Sequence, residues 1–288
     1  MKLARLPLVS GYLAAAALTF GTAAPAQRQV TDAPVSAVSL AYADLADLGL
    51  AAPVAAHVRI ARARALREQD APGTPAGHTR FYVEADVISL IRGPAGMPAR
   101  VSYLVDVPNR TDGRRPKLQR RSEHLLLAEP APGRPGELRL VAPDAQIPFS
   151  PALADQMREI LREAVAAEAP PEITGIGRAF HVPGSLPGES ETQVFLQTAD
   201  ARPISLTVLR RPGQQPRWAV ALGEIVDDAA EPPRPGTLLW YRLACTLPPQ
   251  LPARSLAEAD AVQADAITRD YRFVLEQLGT CGRMRVRP

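Results

Sequence analysis

The sequence predicts an α+β fold of mostly antiparallel β structure, arranged as two small β-barrel or sandwich-like halves that are each followed by a helix. Three observations indicate this fold class. Short segments that alternate apolar and polar residues recur in both halves. The chain holds 30 prolines and 19 glycines, which is typical of many turns. Two longer segments place apolar residues at helical spacing and close the two halves.

The N-terminus has the layout of a secretory signal peptide. Lys2 and Arg5 give it a positive start, an alanine-rich apolar stretch follows, and Ala24-Pro25-Ala26 supplies small residues at a cleavage site. We therefore expect residues 1–26 to be removed after Ala26, leaving a periplasmic or secreted protein. An uncleaved membrane anchor is the alternative, but a spanning helix needs about 20 strongly apolar residues. We expect no transmembrane segment in the mature chain.

Residues 27–149 are predicted to form an N-terminal β-rich domain. A helical pattern begins at Leu40 and ends before Pro53. The next segment, residues 58–66, fits either a strand or a helix. Further strands are expected at residues 81–93, 100–108, 124–129 and 137–143. This half resembles an OB-type barrel, except that its helix follows the strands instead of lying between the third and fourth.

Residues 150–171 are predicted to be a helix and linker between the halves. Ser150 is a suitable N-cap with Pro151 at the first helical position, and Pro170-Pro171 ends the segment. Residues 172–288 then form a C-terminal β-rich domain with a terminal helix. Its strands are expected at residues 174–184, 192–198, 203–211, 217–227 and 237–245. The last helix is predicted to start at Ser255, with a capping box to Glu258, and to end at Gly279.

The chain has two cysteines, Cys245 and Cys281. Exported proteins meet an oxidising compartment, so we expect these two to form a disulfide bond. Two free thiols, or a metal or redox pair, are the alternatives. Neither cysteine belongs to a CxxC motif, which argues against redox catalysis.

Charge is balanced overall but clustered locally. The chain has 33 basic and 30 acidic residues, so loss of Lys2 and Arg5 with the signal peptide leaves 31 against 30. A cluster within DGRRPKLQRR concentrates five cations, which are Arg114, Arg115, Lys117, Arg120 and Arg121. Such a cluster suits an anionic partner, although charge clustering alone favours a solvated hairpin loop whose charges prevent strand pairing. Because no aromatic residues interleave with the cations, nucleic acid is disfavoured as the partner.

The most enzyme-like stretch is PGESETQ, in which Ser190 lies between two glutamates and Gly188 is two residues before it. It lacks the second glycine of a G-x-S-x-G nucleophile elbow and precedes a strand instead of a helix, so a polar loop is the favoured interpretation. His181 is the nearest candidate base. The four histidines (His57, His78, His124 and His181) show no metal-ligand spacing. Asp44 with Asp47, the loop acids Asp144 and Asp227-Asp228, and the glycines at residues 175–177 are weaker signals. We therefore predict no catalytic, metal or cofactor site.

Four segments carry a resemblance to other proteins. Residues 181–196, 211–227, 238–245 and 270–283 resemble uncharacterised exported proteins of high-GC Gram-negative bacteria, and this resemblance implies no activity. We expect a soluble periplasmic protein that binds or scaffolds an envelope protein or an anionic envelope component. An envelope hydrolase whose site is assembled only in the fold, or a small-molecule carrier, would be the alternatives.

Overall fold

Five strands in the first half of the chain close into a barrel. The computed structural model describes residues 40–223 and 231–285, and the predicted signal peptide lies outside them. The barrel strands are β1 (Val54–Ala65), β2 (His78–Arg92), β3 (Arg100–Pro108), β4 (Glu123–Pro130) and β5 (Glu137–Leu140). A short strand, β6 (Gln146–Pro148), pairs with β4 outside the ring.

The strand order of the barrel is β1-β2-β3-β5-β4, and β4 closes the ring by pairing with β1. All pairs are antiparallel except β3 with β5, where Ser102 and Tyr103 lie opposite Glu137 and Leu138. This is the strand order of an OB-type barrel. The connection between β3 and β4, residues 109–122, contains no helix, which agrees with the departure from that fold noted in the sequence.

The barrel interior is filled by alternate residues of each of the five strands. On β3, Val101, Tyr103 and Val105 are buried, whereas Leu104 between them is exposed. The register pairs Tyr103 with Val83 of β2, so the buried rows of neighbouring strands meet. This period-two burial is what the alternating sequence predicts for a strand with one face in a core.

The second half contains a separate antiparallel sheet of four strands in the order β10-β9-β8-β7. These strands are β7 (Ile173–Pro183), β8 (Ser190–Thr198), β9 (Ile204–Arg210) and β10 (Arg217–Ala221). The sheet is open, so one half of the protein is a barrel and the other is a sheet packed with helices. The predicted α+β class with mostly antiparallel strands is confirmed.

Within the described part of the chain, four helices accompany the two sheets, namely α1 (Tyr42–Ala51), α2 (Pro151–Val165), α3 (Leu238–Ala244) and α4 (Ala261–Leu278). One hydrophobic cluster takes side chains from all four helices, from the second sheet and from strands of the barrel. The described residues, 40–223 and 231–285, belong to one compact unit. The division of the chain at residues 150–171 stays a prediction.

The predicted ends of two helices are confirmed. Ser150 caps α2, where its hydroxyl accepts a hydrogen bond from the backbone N–H of Leu153 at 3.2 Å, and Pro151 occupies the first turn. Gly279 ends α4 with a φ of 71°, a conformation that glycine adopts without steric cost.

Two predicted elements in the second half were wrong. Helix α3, Leu238–Ala244, stands where residues 237–245 were predicted to form a strand, and the Thr237 side chain caps it by accepting a hydrogen bond from the backbone N–H of Trp240. The last helix starts at Ala261 and not at Ser255. Asp260 and Gln263 form its capping box, whereas Ser255 is buried within a short 3₁₀ turn, Ala253–Leu256. Among the described residues, no helix is both long enough and apolar enough to cross a membrane.

Candidate functional site: an arginine-rich end of the barrel

The predicted cationic cluster lies on the loop that joins β3 to β4 at one end of the barrel. Its five members, Arg114, Arg115, Lys117, Arg120 and Arg121, are all exposed. Within the part of the chain that the structure describes, Arg114 alone among them contacts an acid, with its Nε 3.8 Å from Asp112. The remaining cations therefore face solvent without a neutralising carboxylate.

The fold adds a second group of cations to this loop. Arg62 and Arg64 lie at the end of β1, and Arg67 follows them. The loop is tied to β1 by hydrogen bonds from Arg121 N–H to the carbonyl of Ile60 at 2.8 Å and from Ile60 N–H to Ser122 at 2.9 Å. These three arginines were not recognised in the sequence, although the alternation ARARA at residues 61–65 was a visible signal.

We call residues 61–70 and 109–122 together the arginine patch. These two segments hold nine basic residues against three acidic ones, a local net charge of +6. The whole chain has a formal net charge of +3, so the rest of the chain is net negative by 3. Positive charge is thus concentrated at one end of the barrel, where it raises the local concentration of anions.

A cleft of about 740 Å³ lies over β2, β3 and β5 beside the patch. Tyr82 and Leu104, which face each other across β2 and β3, contribute apolar surface to it. Arg80 and Asp106 form a two-pronged ion pair at its edge, with both N–O distances at 2.7 Å. The hydrogen bonds that Arg80 donates to Asp106 raise the pKa of Arg80, so this guanidinium is held charged.

Arg80 also marks where the cleft meets the arginine patch. Its Nη1 donates to the carbonyl of Pro72 at 2.9 Å, in the loop between β1 and β2. The same side chain lines a smaller recess of about 320 Å³ together with Glu68 and Arg115. The patch and the cleft therefore form one continuous surface.

The four histidines occupy separate places. His57 stacks on Phe149 at 3.5 Å between ring centroids and bonds to Glu123 at 2.8 Å, whereas His78 bonds to a backbone carbonyl. Burial lowers the pKa of His124. In residues 40–223 and 231–285, no three histidines, cysteines or acids gather in a way that could hold a metal ion.

Hydrogen bonding lowers the pKa of Glu123, with the larger effect from Arg59 and a smaller one from His57. These side chains connect β1 to the start of β4 and so support the closure of the barrel.

Ser190 opens β8, where it lies opposite Pro183 of β7 and Arg210 of β9. His181 contacts Thr192 and not Ser190, with 2.8 Å between Nδ1 and Oγ1. The Thr192 hydroxyl in turn donates to the buried carboxylate of Asp270 at 2.5 Å. This arrangement is a buried polar chain linking the sheet to α4.

The glycines at residues 175–177 belong to β7 and not to a phosphate-binding loop. A Cβ added at Gly177 would lie 3.3 Å from the carbonyl oxygen of Phe195. Close approach of neighbouring strands therefore accounts for a glycine at this position.

The paired acids of α1 hold the C-terminal tail. Asp44 accepts backbone N–H groups from Met284 and Arg285 at 3.1 and 3.0 Å, and Asp47 binds the guanidinium of Arg283. Asp144 forms an ion pair with Arg285, and this hydrogen bonding lowers the pKa of Asp144. The other loop acids of interest, residues 227 and 228, lie outside the described residues.

The predicted disulfide bond between Cys245 and Cys281 is confirmed. It joins the end of α3 to the segment after α4. The sequence predicted a strand before Cys245, and the structure has helix α3 there instead. The two Cα atoms are 4.8 Å apart, within the usual range for a disulfide.

The fold and the surface define a class: an α+β protein built on an OB-type barrel whose one end is strongly cationic. No protein-family model matches the chain, and no curated protein is similar enough to count as a relative. Functional inference therefore rests on the geometry and charge of the described residues.

Proposed function

We propose that this protein is a periplasmic binding or scaffold protein that holds an anionic envelope partner on the arginine patch. The observation that carries the proposal is the segregation of charge, with nine basic residues against three acidic ones in two segments that the barrel brings together. Arginine suits this role because its planar guanidinium binds carboxylate or phosphate through two parallel hydrogen bonds.

The predicted location agrees with this role. A signal peptide is expected at residues 1–26, and the disulfide bond is typical of an oxidising compartment. In barrels with OB-type strand order, the face of strands 2 and 3, with the loops between strands 1 and 2 and between strands 4 and 5, binds oligonucleotides and oligosaccharides. In this protein the β2–β3 face carries the cleft, and Arg80 on that face also lines the recess that contains Glu68 and Arg115 of the arginine patch.

Charge reversal tests the proposal. The tagged, exported protein is crosslinked in cells, and the co-purified molecules are identified by mass spectrometry, with a signal-peptide control. The test variant replaces four patch arginines by glutamate (Arg114, Arg115, Arg120 and Arg121). The control variant makes the same change at four exposed arginines that have acidic partners and belong neither to the patch nor to the lining of the cleft (Arg100, Arg162, Arg178 and Arg202).

We expect the amount of partner recovered with the patch variant to fall at least about tenfold, and the amount recovered with the control variant to stay unchanged. Raising the salt concentration should weaken recovery with the wild-type protein, because exposed charges are screened within about 8 Å at physiological ionic strength. Equal recovery with both variants would refute the role of the patch.

A small-molecule carrier is the second candidate, since the cleft of about 740 Å³ falls within the size range of ligand pockets, about 300–1,000 Å³. Replacing the exposed Leu104 by arginine would fill the cleft between Tyr82 and β5. A carrier loses its ligand in this variant while the partner captured by the arginine patch is retained. An envelope hydrolase is less well supported, because His181, the nearest candidate base, contacts Thr192 and not Ser190.

A further inference from the structure

Strand β1 has a free edge over its last five residues. On one side it pairs with β2 along most of its length. On the other side it pairs with β4 only from Val54 to Arg59, and the contact with the β3–β4 loop ends at Ile60. The loop turns away there, where Arg121 adopts a φ of 69°. Among the described residues, no segment pairs with the outer edge of residues 61–65.

The backbone groups on this edge can be assigned from the neighbouring hydrogen bonds. Leu66 donates its N–H to the carbonyl of Arg80 in β2 at 2.8 Å. Because successive residues of a strand direct their N–H groups to opposite sides, Ala63 and Ala65 direct theirs away from β2. Ile60 also directs its N–H away from β2, to Ser122. The β-bulge between Ile60 and Arg62 explains why Ile60 and Ala63 point the same way although they are an odd number of residues apart. The edge therefore offers unpaired donors and acceptors to an added strand.

The side chains along the edge alternate between two environments. Arg62 and Arg64 are exposed on the outer face, whereas Ala63 and Ala65 pack against the barrel core. A strand added beside β1 would place its own alternate side chains next to these two rows. Acidic residues suit the row beside the arginines, and apolar residues suit the row beside the alanines.

We propose that residues 61–65 are the docking strand for an extended segment of a partner protein in which acidic and apolar residues alternate. This inference rests on the proposed function and specifies how the partner is held: its backbone extends the barrel wall, and its carboxylates meet the arginine patch. A second copy of this chain does not fit, because pairing two such edges would set arginine against arginine. Charge complementarity thus selects an acidic strand.

Two synthetic peptides test the inference by fluorescence anisotropy with the mature protein. One alternates glutamate and valine, and the other has the same composition in a block of glutamates followed by a block of valines. The test variant is Ala63→Pro, which removes an outward N–H and keeps every charge. Proline is tolerated on an edge whose N–H faces solvent. Ala63→Val is the control, because it keeps the N–H.

We expect the alternating peptide to bind at least about fivefold more tightly than the block peptide, and Ala63→Pro to weaken it about tenfold while Ala63→Val does not. Amide hydrogen exchange on the wild-type protein gives a measurement that needs no variant. The N–H groups of Ala63 and Ala65 should become protected when the alternating peptide is bound.

Other outcomes separate this inference from the proposed function. Unchanged binding by Ala63→Pro, together with loss in the four-site patch variant, would overturn strand addition and leave anionic binding intact. Binding of polygalacturonate but of neither peptide would do the same and point to an anionic glycan. If none of these anionic probes binds in a patch-dependent way, both proposals fall.

Discussion

The buried carboxylate of Asp270 provides a sharp test of how the second half is held together. Asp270 lies on α4 and is fully buried. Its Oδ1 accepts a hydrogen bond from Arg210 of β9 at 2.7 Å, and its Oδ2 accepts the hydroxyl of Thr192 of β8. We predict that Asp270→Ala strongly destabilises the protein, because it leaves one buried hydroxyl and one partly buried guanidinium without their acceptor.

The size of the effect follows from these contacts. Removing one partner of a buried ion pair costs about 3–5 kcal/mol. The side chain of Arg210 is 25% exposed, so water can partly solvate it in the variant, and the lower end of the range, about 3 kcal/mol, applies. For a chain of this size, about 1 kcal/mol lowers Tm by about 2–4 °C. We therefore expect a Tm lower by about 6–12 °C.

Urea unfolding followed by circular dichroism measures the loss directly. The matched control is Asp155→Ala, which removes an aspartate that is 73% exposed and pairs with Arg158 on the same helix. An exposed pair of this kind contributes at most about 0.5 kcal/mol. If both variants unfold at the same urea concentration, the conclusion that Asp270 stabilises the second half through Arg210 and Thr192 is wrong.

Two further predictions concern stability. Replacing both Cys245 and Cys281 by serine should lower the free energy of unfolding by about 4 kcal/mol, because the bond closes a loop with a sequence separation of 36; a loss below about 1 kcal/mol in urea unfolding would contradict this. Burial lowers the pKa of His124 from its ordinary value of 6.5. Its contribution to stability is therefore complete above that value and is lost as the pH falls through the lowered folded-state pKa, because the unfolded chain binds the proton more readily. His124→Gln should reduce this acid-induced loss, and identical pH dependence in the variant and the wild-type protein would exclude it.

The strands of the barrel were predictable because each has one buried face. Val101, Tyr103 and Val105 alternate with polar or exposed neighbours, and this pattern survives in the sequence. Helix α3 has no such pattern. Leu238, Trp240, Tyr241 and Leu243 are all buried, so apolar residues occupy nearly every position and carry no helical or strand period. Only the cap at Thr237 distinguishes the two structures.

One of the two segments of the candidate site could be predicted from the sequence, and the other could not. Residues 114–121 stand out because five cations fall within eight residues of the sequence. Arg62, Arg64 and Arg67 join them only because the loop before β4 bonds to Ile60. That contact depends on barrel closure, which no local pattern reports. The last helix was misplaced because Ser255-x-x-Glu258 and Asp260-x-x-Gln263 both match a capping box.

The contact between α1 and residues 283–285 has a consequence for the order of folding. Asp44 is fully buried, and the backbone N–H groups of Met284 and Arg285 supply hydrogen bonds to its carboxylate. Asp44 precedes Arg285 by 241 residues, so a chain that emerges from its N-terminus presents α1 long before these groups are available. A buried carboxylate without donors is costly, so α1 docks stably only after residues 284 and 285 are in place. A helix near one end of the described residues is thus fastened by residues at the other end.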